Sequence, residues 1–437
     1  MTKLQILSEK KKIDTVMSGS DSIEKFLDEY KKIQSIFLDF LNNESNIEEN
    51  FNNLLQIIED TKIRDCQHKI RQFLHMLLNI SNNHHHVPNF FSKLEQVLLI
   101  IKDDINKFFS NSQIFDIFKT NKRILLFLIE EKIMTVDEYF VNQIPQFIKW
   151  KYPQYFAPEI KPFINDKIIS GYSNKLIEKI KKEIPDNFFE LRKKGENESF
   201  LCELIRKDDI KNFIVYVNKN SISLNAKIHF STYETNLFLF RDDIELIEYA
   251  AFFGSNQILS FCKSEGVELK SSLWKFAIHS NNAEIISFLE DNHIIPTPEY
   301  GVCFWEAIDC HHNDIAIFFL NNYLTPDYEN TITTIVNSLK CYNFLFLNET
   351  NIYDSFCNLC SYDYYSIVKI LLTYKDVDIN KKEIVLTNIF QLHSKLYISF
   401  AFKIISFNCI QNYIFKWNSK SYLSIKFKII FFNYIQN

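Results

Sequence analysis

The stretch IEYAAFFGSNQILSF, residues 247–261, decides the fold because a similar pattern occurs twice more in the chain. The second copy is WKFAIHSNNAEIISF, residues 274–288, and the third is FWEAIDCHHNDIAIF, residues 304–318. Three sets of residues align across the copies: Ala250, Ala277 and Ala307, then Ile258, Ile285 and Ile315, then Phe261, Phe288 and Phe318. The aligned alanines are 27 and 30 residues apart. A period of this length predicts a repeated structural unit.

Each copy predicts two short helices. Alanine in the first helix lets the neighbouring unit approach closely, and the Ile and Phe positions of the second helix fill the shared core. A fourth unit is predicted at LCSYDYYSIVKILLTYKDVDIN, residues 359–380, with Leu359 at the alanine position. A degenerate unit is predicted before the array at FLCELIRKDDIKNFIVYV, residues 200–217. Glu306 departs from the pattern, because Tyr249 and Phe276 occupy its position in the other copies.

These repeats resemble a known family. The segments IEYAAFFGS, SSLWKFAIHSNNAEIISFLEDNHI and CHHNDIAIFF are similar to the ankyrin-related domain, of unassigned function, found in trichomonad ankyrin repeat proteins. SNNHHHVPNFF, KTNKRILLFLIEEKI and YPQYFAPEI resemble the helical leader of that family. The resemblance covers residues from about 20 to 383. It implies an ankyrin-like α-solenoid with a binding role, and it transfers no catalytic residues.

We therefore predict an all-α fold, with a helical hairpin leader followed by an ankyrin-like α-solenoid and an irregular C-terminal tail. Apolar residues recur at i, i+3, i+4 and i+7 through the first part of the chain, which is typical of amphipathic helices. The predicted divisions are a helical N-terminal region at 1–190, ankyrin-like repeats at 195–383 with a best-matched core at 245–321, and an atypical tail at 384–437.

The tail has a different composition from the rest. Residues 384–437 contain six lysines and many aromatic residues but no Asp or Glu. The repeat rhythm also ends there. We interpret this segment as translated out of frame, as the result of a truncated gene, or as disordered. A membrane anchor is disfavoured because Lys403, Asn408 and Lys416 interrupt its apolar run.

The composition excludes several classes of protein. The 437 residues carry a net charge of −5, which is no footprint for nucleic acid or for an anionic membrane. The six glycines stand far apart, so no glycine-rich phosphate loop can be written. The amino terminus lacks the apolar core of a signal peptide. Nine scattered cysteines suit a reducing cytoplasm better than a disulfide framework.

Two motifs have residue types that bind metals, but their spacing and surroundings favour other interpretations. The triplet His84–His86 lies beside turn-forming residues, and three neighbours rarely converge on one ion, so we predict a solvated turn. Cys357 and Cys360 form a CxxC pair without a second pair, and we predict that they are core residues of a helix. We expect no metal and no cofactor.

The predicted function is a non-catalytic protein–protein interaction scaffold of the ankyrin repeat type, located in the cytoplasm, with an unidentified partner and no expected binding to nucleic acid or membrane. The alternatives are a truncated family member with little or no function and a metal-dependent enzyme that uses His84–His86. The predicted partner-binding residues follow the aligned alanines: Phe252, Phe253, His279, Ser280 and Asp309. An equally weighted alternative is that Phe252 and Phe253 pack against the neighbouring repeat.

Overall fold

The computed structural model describes residues 19–84, 89–165, 171–181, 184–353 and 355–374. This part of the chain is helical and contains no β-strand, which confirms the all-α prediction. β-Pairing in these residues is limited to one isolated antiparallel bridge between Lys227 and Glu245. The predicted tail at 384–437, with the residues that interrupt its apolar run, lies outside the described residues.

Twelve helices precede residue 195 in the described residues. They are α1 (Gly19–Asn42), α2 (Ile47–Asp60), α3 (Gln67–Ser81), α4 (Phe90–Ile100), α5 (Lys102–Phe108), α6 (Asn111–Phe118), α7 (Lys122–Glu130), α8 (Glu138–Gln143), α9 (Tyr152–Tyr155), α10 (Ala157–Asn165), α11 (Asn174–Lys181) and α12 (Phe188–Lys194).

Twelve more helices follow in the described residues. They are α13 (Phe200–Arg206), α14 (Ile210–Lys219), α15 (Leu246–Phe252), α16 (Asn256–Ser264), α17 (Leu273–Ser280), α18 (Ala283–Asp291), α19 (Tyr300–Asp309), α20 (Asn313–Tyr323), α21 (Ile332–Cys341), α22 (Glu349–Tyr353), α23 (Phe356–Ser361) and α24 (Tyr365–Tyr374). Short 3₁₀ helices add Ile63–Asp65, Ile144–Trp150, Leu237–Leu239, Pro326–Asn330 and Phe344–Phe346.

The helices from α13 onward pack as consecutive pairs. The first helix of each pair contacts the first helix of the next, along the series α13, α15, α17, α19, α21 and α23. The aligned alanines Ala250, Ala277 and Ala307 are fully buried between these helices. Because a methyl side chain occupies little volume, the neighbouring backbones approach closely at these positions. Around them, Trp274, Phe304 and other apolar side chains form one continuous core.

The N-terminal helices pack onto the end of this series. The described residues all belong to one compact unit. Helix α1 contacts α24, α22 and the 3₁₀ helix Phe344–Phe346. The ring of Tyr30 on α1 lies 4.8 Å from the ring of Phe344. Apolar side chains of the N-terminal helices therefore contact the helix pairs directly.

None of the described helices is both long and apolar enough to cross a membrane.

Candidate functional site

The first helix of each pair ends in the same kind of turn. A residue with positive φ closes the helix in all six pairs: Asp208, Gly254, Asn281, His311, Tyr342 and Asp363. In five of the six, the next amide donates to the carbonyl five residues earlier, as Ser255 does to Ala250 at 2.9 Å and His312 does to Ala307 at 3.0 Å. This is the Schellman helix end, which satisfies carbonyls that the helix leaves without partners. Two of the aligned alanines, Ala250 and Ala307, accept this hydrogen bond, and the carbonyl of the third, Ala277, accepts from Ser280 Oγ instead.

This geometry identifies a repeat that the sequence pattern did not predict. Asn343 donates its amide hydrogen to Ser338 at 2.9 Å, in the turn that follows α21. Ser338 is fully buried at the position of the alanines. Serine is similar to alanine in size, but it is polar. A search for apolar residues at this position therefore does not find the unit. The predicted unit at Leu359 has the same turn, since Tyr364 donates to Leu359 at 2.9 Å.

Consecutive turns are linked by side chains. At four of the five junctions between turns, the residue after the positive-φ position donates to the backbone of the preceding turn. Four such bonds are present: Ser255 Oγ to the Ile205 carbonyl at 2.6 Å, Asn282 Nδ2 to Gly254 at 3.4 Å, Asn343 Nδ2 to Ile308 at 3.0 Å and the Tyr364 hydroxyl to Leu339 at 3.0 Å. These bonds hold the turns in line, so residues at equivalent positions follow one another along the array.

The turn row is the set of residues two positions before each positive-φ residue. It consists of Arg206, Phe252, His279, Asp309, Lys340 and Ser361. Two neighbouring pairs in the row are in contact. The rings of Phe252 and His279 stack at 5.7 Å, and Lys340 Nζ lies 3.7 Å from Asp309 Oδ2. Three of the five predicted partner-binding residues belong to this row.

The structure places the five predicted residues in two groups. Phe252 and His279 are buried, and Phe238 covers both with ring centroids at 5.7 Å and 3.9 Å. The rings of Phe252 and Phe253 also contact each other at 5.0 Å. Phe253, Ser280 and Asp309 are partly exposed. Only this second group offers surface to a partner without movement of the Phe238 loop.

His279 lies at the centre of a polar cluster that also contains Glu306 and Cys310. Its Nε2 is 2.9 Å from Glu306 Oε1, and Cys310 Sγ is 3.5 Å from the same nitrogen. Burial opposes ionisation of Glu306, but the hydrogen bond from His279 and the charge of Lys275 outweigh it and lower the pKa of that carboxyl. Burial, with Glu306 and Asp309 nearby, raises the pKa of the Cys310 thiol well above its usual value. The sulfur is therefore a protonated thiol and a poor nucleophile.

Asp309 borders this cluster. Burial raises the pKa of its carboxyl to about 6, although the charge of Lys340 opposes the shift. Its Oδ1 is buried without a hydrogen-bond partner. Sequence reasoning selected His279 and Asp309 but missed Glu306 and Cys310. Two signals in the sequence could have identified them: the departure of Glu306 from the repeat pattern and its spacing of four residues from Cys310.

The prediction of a solvated turn at His84 is wrong. His84 is buried, with Nε2 3.0 Å from the Cys310 carbonyl oxygen and Nδ1 3.0 Å from Asn42 Oδ1. Burial lowers its pKa to about 4, so the ring is neutral near pH 7. Asn83 Nδ2 also donates to the Asp309 carbonyl at 3.2 Å. His85 and His86 lie outside the described residues. The described part of the triplet therefore joins the leader to the repeat turns.

A polar cavity of about 260 Å³ lies beside this junction. It separates α1 from the turns after α17 and α19. Its lining includes Lys31, Gln34, Asp39, Asn281, His311 and Asp314.

Of the CxxC pair, Cys360 is buried as predicted, and the side chain of Cys357 lies outside the described residues.

No family model, curated protein or solved structure matches the chain. The similarity to trichomonad ankyrin repeat proteins therefore stays a prediction from the sequence.

Proposed function

We propose that the chain is a non-catalytic scaffold of the ankyrin repeat type, an α-solenoid that binds a protein partner along the turn row. The observation that carries this proposal is the repetition of one turn geometry in six consecutive helix pairs, with a different side chain at the row position of each. A constant backbone with varied side chains is how stacked repeats present an extended binding surface. The helical leader then packs along the turns that follow α19, α21 and α23.

The partly exposed residues in the turn row and directly beside it suggest where the partner binds. Phe253 and Ser280 flank the buried Phe252 and His279, and Asp309 follows in the next unit. The guanidinium of Arg206 lies 5.9 Å from the Phe253 ring, which orients that ring. Aromatic residues contribute strongly at the centres of interfaces, so Phe253 is the proposed anchor and Asp309 the proposed polar contact.

A non-catalytic role is supported by the protonation state of the thiol in the polar cluster and by the hydrogen bonds of the predicted metal ligand. Cys310 is a buried thiol with a raised pKa. Both ring nitrogens of His84 are within hydrogen-bond distance of protein oxygens.

We also propose a cytoplasmic location, because Cys66, Cys202, Cys262, Cys303, Cys310 and Cys341 are free thiols. The net charge of −5 favours a protein partner over nucleic acid.

The test is affinity capture from the native cell with the full-length chain, followed by measurement of Kd with the purified partner. Phe253→Ala and Asp309→Asn should each raise Kd by at least about 10-fold, which corresponds to the loss of one useful contact. Glu265→Gln is the matched control, because Glu265 is exposed at the far end of α16. Circular dichroism establishes that each variant is folded. Equal affinity of all three variants and the wild type would refute the turn row as the binding surface.

A further inference from the structure

Glu306 is an unusual residue for its place in the repeat. The equivalent residues Tyr249 and Phe276 are buried aromatic side chains, whereas Glu306 puts a carboxylate between two units. Cys310 follows four residues later, at the C-terminal end of α19. Residues at i and i+4 lie on the same face of a helix. The carboxylate and the thiol therefore face the same neighbour, which is His279 on α17.

The three side chains converge. One ligand atom from each of His279, Glu306 and Cys310 can be chosen so that all three lie within 4.8 Å of one another. The separation of Sγ from Nε2 is 3.5 Å, and that of Oε1 from Nε2 is 2.9 Å. Tetrahedral zinc, with bonds of about 2.0–2.3 Å, places its ligand atoms roughly 3.3–3.8 Å apart. Relative to Nε2, the sulfur already meets this spacing, and the carboxylate oxygen has to move away by about half an ångström.

We propose that His279, Glu306 and Cys310 form a binding site for a divalent transition metal ion, with zinc as the best match. Imidazole, carboxylate and thiolate are the three ligand types that zinc uses in proteins. The arrangement of two ligands at i and i+4 on one helix and a third from a neighbouring helix is one that zinc sites use. Water would complete the coordination on the exposed side of Glu306.

The surroundings determine how the site would assemble. Cys310 Sγ is 3.5 Å from Nε2 and 3.6 Å from Nδ1, so the sulfur lies against the face of the imidazole. The ring therefore turns about its Cβ–Cγ bond when Nε2 and Sγ bind one ion. The proton of the thiol leaves to solvent as the metal binds. Lys275 Nζ, 3.3 Å from Glu306 Oε2, holds the second carboxylate oxygen and leaves Oε1 for the metal.

The metal would have a structural role that goes beyond partner binding. It would join α17 to α19 at the junction of two repeat units, next to the Cys310 carbonyl that accepts from His84. Zinc would therefore stabilise both the repeat stack and its contact with the leader. A ligand that binds only the folded state raises the stability of that state.

The test is titration of the full-length, reduced protein with cobalt(II) and then with zinc. We expect one equivalent of cobalt, a thiolate-to-cobalt charge-transfer band and a higher Tm with zinc. Cys310→Ala should lose the band, whereas Cys262→Ala should keep it, because Cys262 is an equally buried thiol away from the cluster. Glu306→Gln keeps the size of the side chain, and it should weaken zinc binding by at least about 100-fold, since loss of an outer-shell partner alone costs 10–100-fold.

Two outcomes would overturn the proposal. One is the absence of metal binding by the wild-type protein at neutral pH. The other is a charge-transfer band that persists in Cys310→Ala, which would assign the thiolate to another residue such as the partly exposed Cys66.

Discussion

Nε2 of His84 donates a hydrogen bond to the carbonyl oxygen of Cys310 over 3.0 Å, although 226 residues separate the two in sequence. Cys310 is next to the positive-φ residue that ends α19, and His84 follows α3 of the leader. The bond therefore fastens the leader to the turn of a repeat. The first prediction tests what it contributes to stability.

Replacing His84 with Ala should lower the free energy of unfolding by about 3 kcal/mol. The change leaves a buried carbonyl without its donor and creates a cavity, and each effect costs on the order of 1–3 kcal/mol. Urea denaturation followed by circular dichroism measures the loss. His229→Ala is the control, because His229 is exposed and should tolerate the change within about 0.5 kcal/mol. Equal stability of the two variants would show that the His84 contact adds nothing.

Acid should destabilise the protein through its buried histidines. Burial lowers the pKa of His84 to about 4, and that of His75 and His311 to about 3. Below pH 6.5 the unfolded chain binds protons that the folded chain does not bind. These histidines therefore leave the free energy of unfolding unchanged above pH 6.5 and lower it as the pH falls toward their folded pKa values. For His84 alone the loss at pH 5 is about 2 kcal/mol.

Urea denaturation at about pH 7.5 and pH 5 measures this effect. The His84→Gln variant is the comparison, because glutamine can donate to a carbonyl but does not titrate. Its stability should fall less between the two pH values than that of the wild type. An identical fall in both proteins would contradict the assignment to His84.

Gln34 of α1 should be a second point of attachment. Its Oε1 accepts from the Phe344 amide at 2.7 Å, and its Nε2 donates to Asn343 Oδ1 at 2.8 Å. Gln34→Leu preserves the approximate volume but removes the acceptor of the buried Phe344 amide and one of the two donors to Asn343 Oδ1, so we expect a loss of about 2–4 kcal/mol. Chemical denaturation checks this. Ser35→Ala on the exposed side of α1 is the control and should change the unfolding free energy little.

The protein should become more stable as the pH rises from 7 into mild alkali, because of the buried Lys122. Burial lowers the pKa of its ammonium to about 7, and its Nζ donates to the Thr232 carbonyl at 2.8 Å. Between pH 7 and the unfolded value of about 10.5, the unfolded chain binds the additional proton, so stability rises with pH. From this group we expect a gain of about 1.5 kcal/mol between pH 7 and pH 8.5. Denaturation at both pH values should show the gain in the wild type but not in Lys122→Met.

Glycines at two turns should differ in their tolerance of alanine. Gly254 and Gly266 have φ values of 71° and 83°, so a side chain is strained at either by about 1–2 kcal/mol. A Cβ atom on Gly254 would also lie 3.0 Å from Asn282 Nδ2. A Cβ atom on Gly266 would have no neighbouring atom within 4 Å. Thermal denaturation should therefore give a lower Tm for Gly254→Ala than for Gly266→Ala. The reverse order would show that the Asn282 side chain moves away from the new Cβ atom without loss of stability.

Local patterns in the sequence predict the helical part of this fold well. The repeated alanines, together with the Ile and Phe positions that follow them, are determined by contacts within a unit and between adjacent units. These contacts repeat with the chain, so periodicity alone indicates the helices and their register. The alignment of Ala250, Ala277, Ala307 and Leu359 corresponds to one position in the turn geometry. The unit at Ser338 was missed because a buried serine does not look like a core residue.

The sequence by itself determined the all-helical class and indicated where most of the consecutive helix pairs lie, whereas the tertiary structure decided how the N-terminal helices and these pairs meet. Long-range contacts such as His84 with Cys310, Gln34 with Asn343, and Phe238 with His279 have no period along the chain. They depend on which surfaces come together once the helices have packed. For the same reason His84 is a core residue and not part of a solvated turn, and the cluster of His279, Glu306 and Cys310 forms only where two repeat units touch.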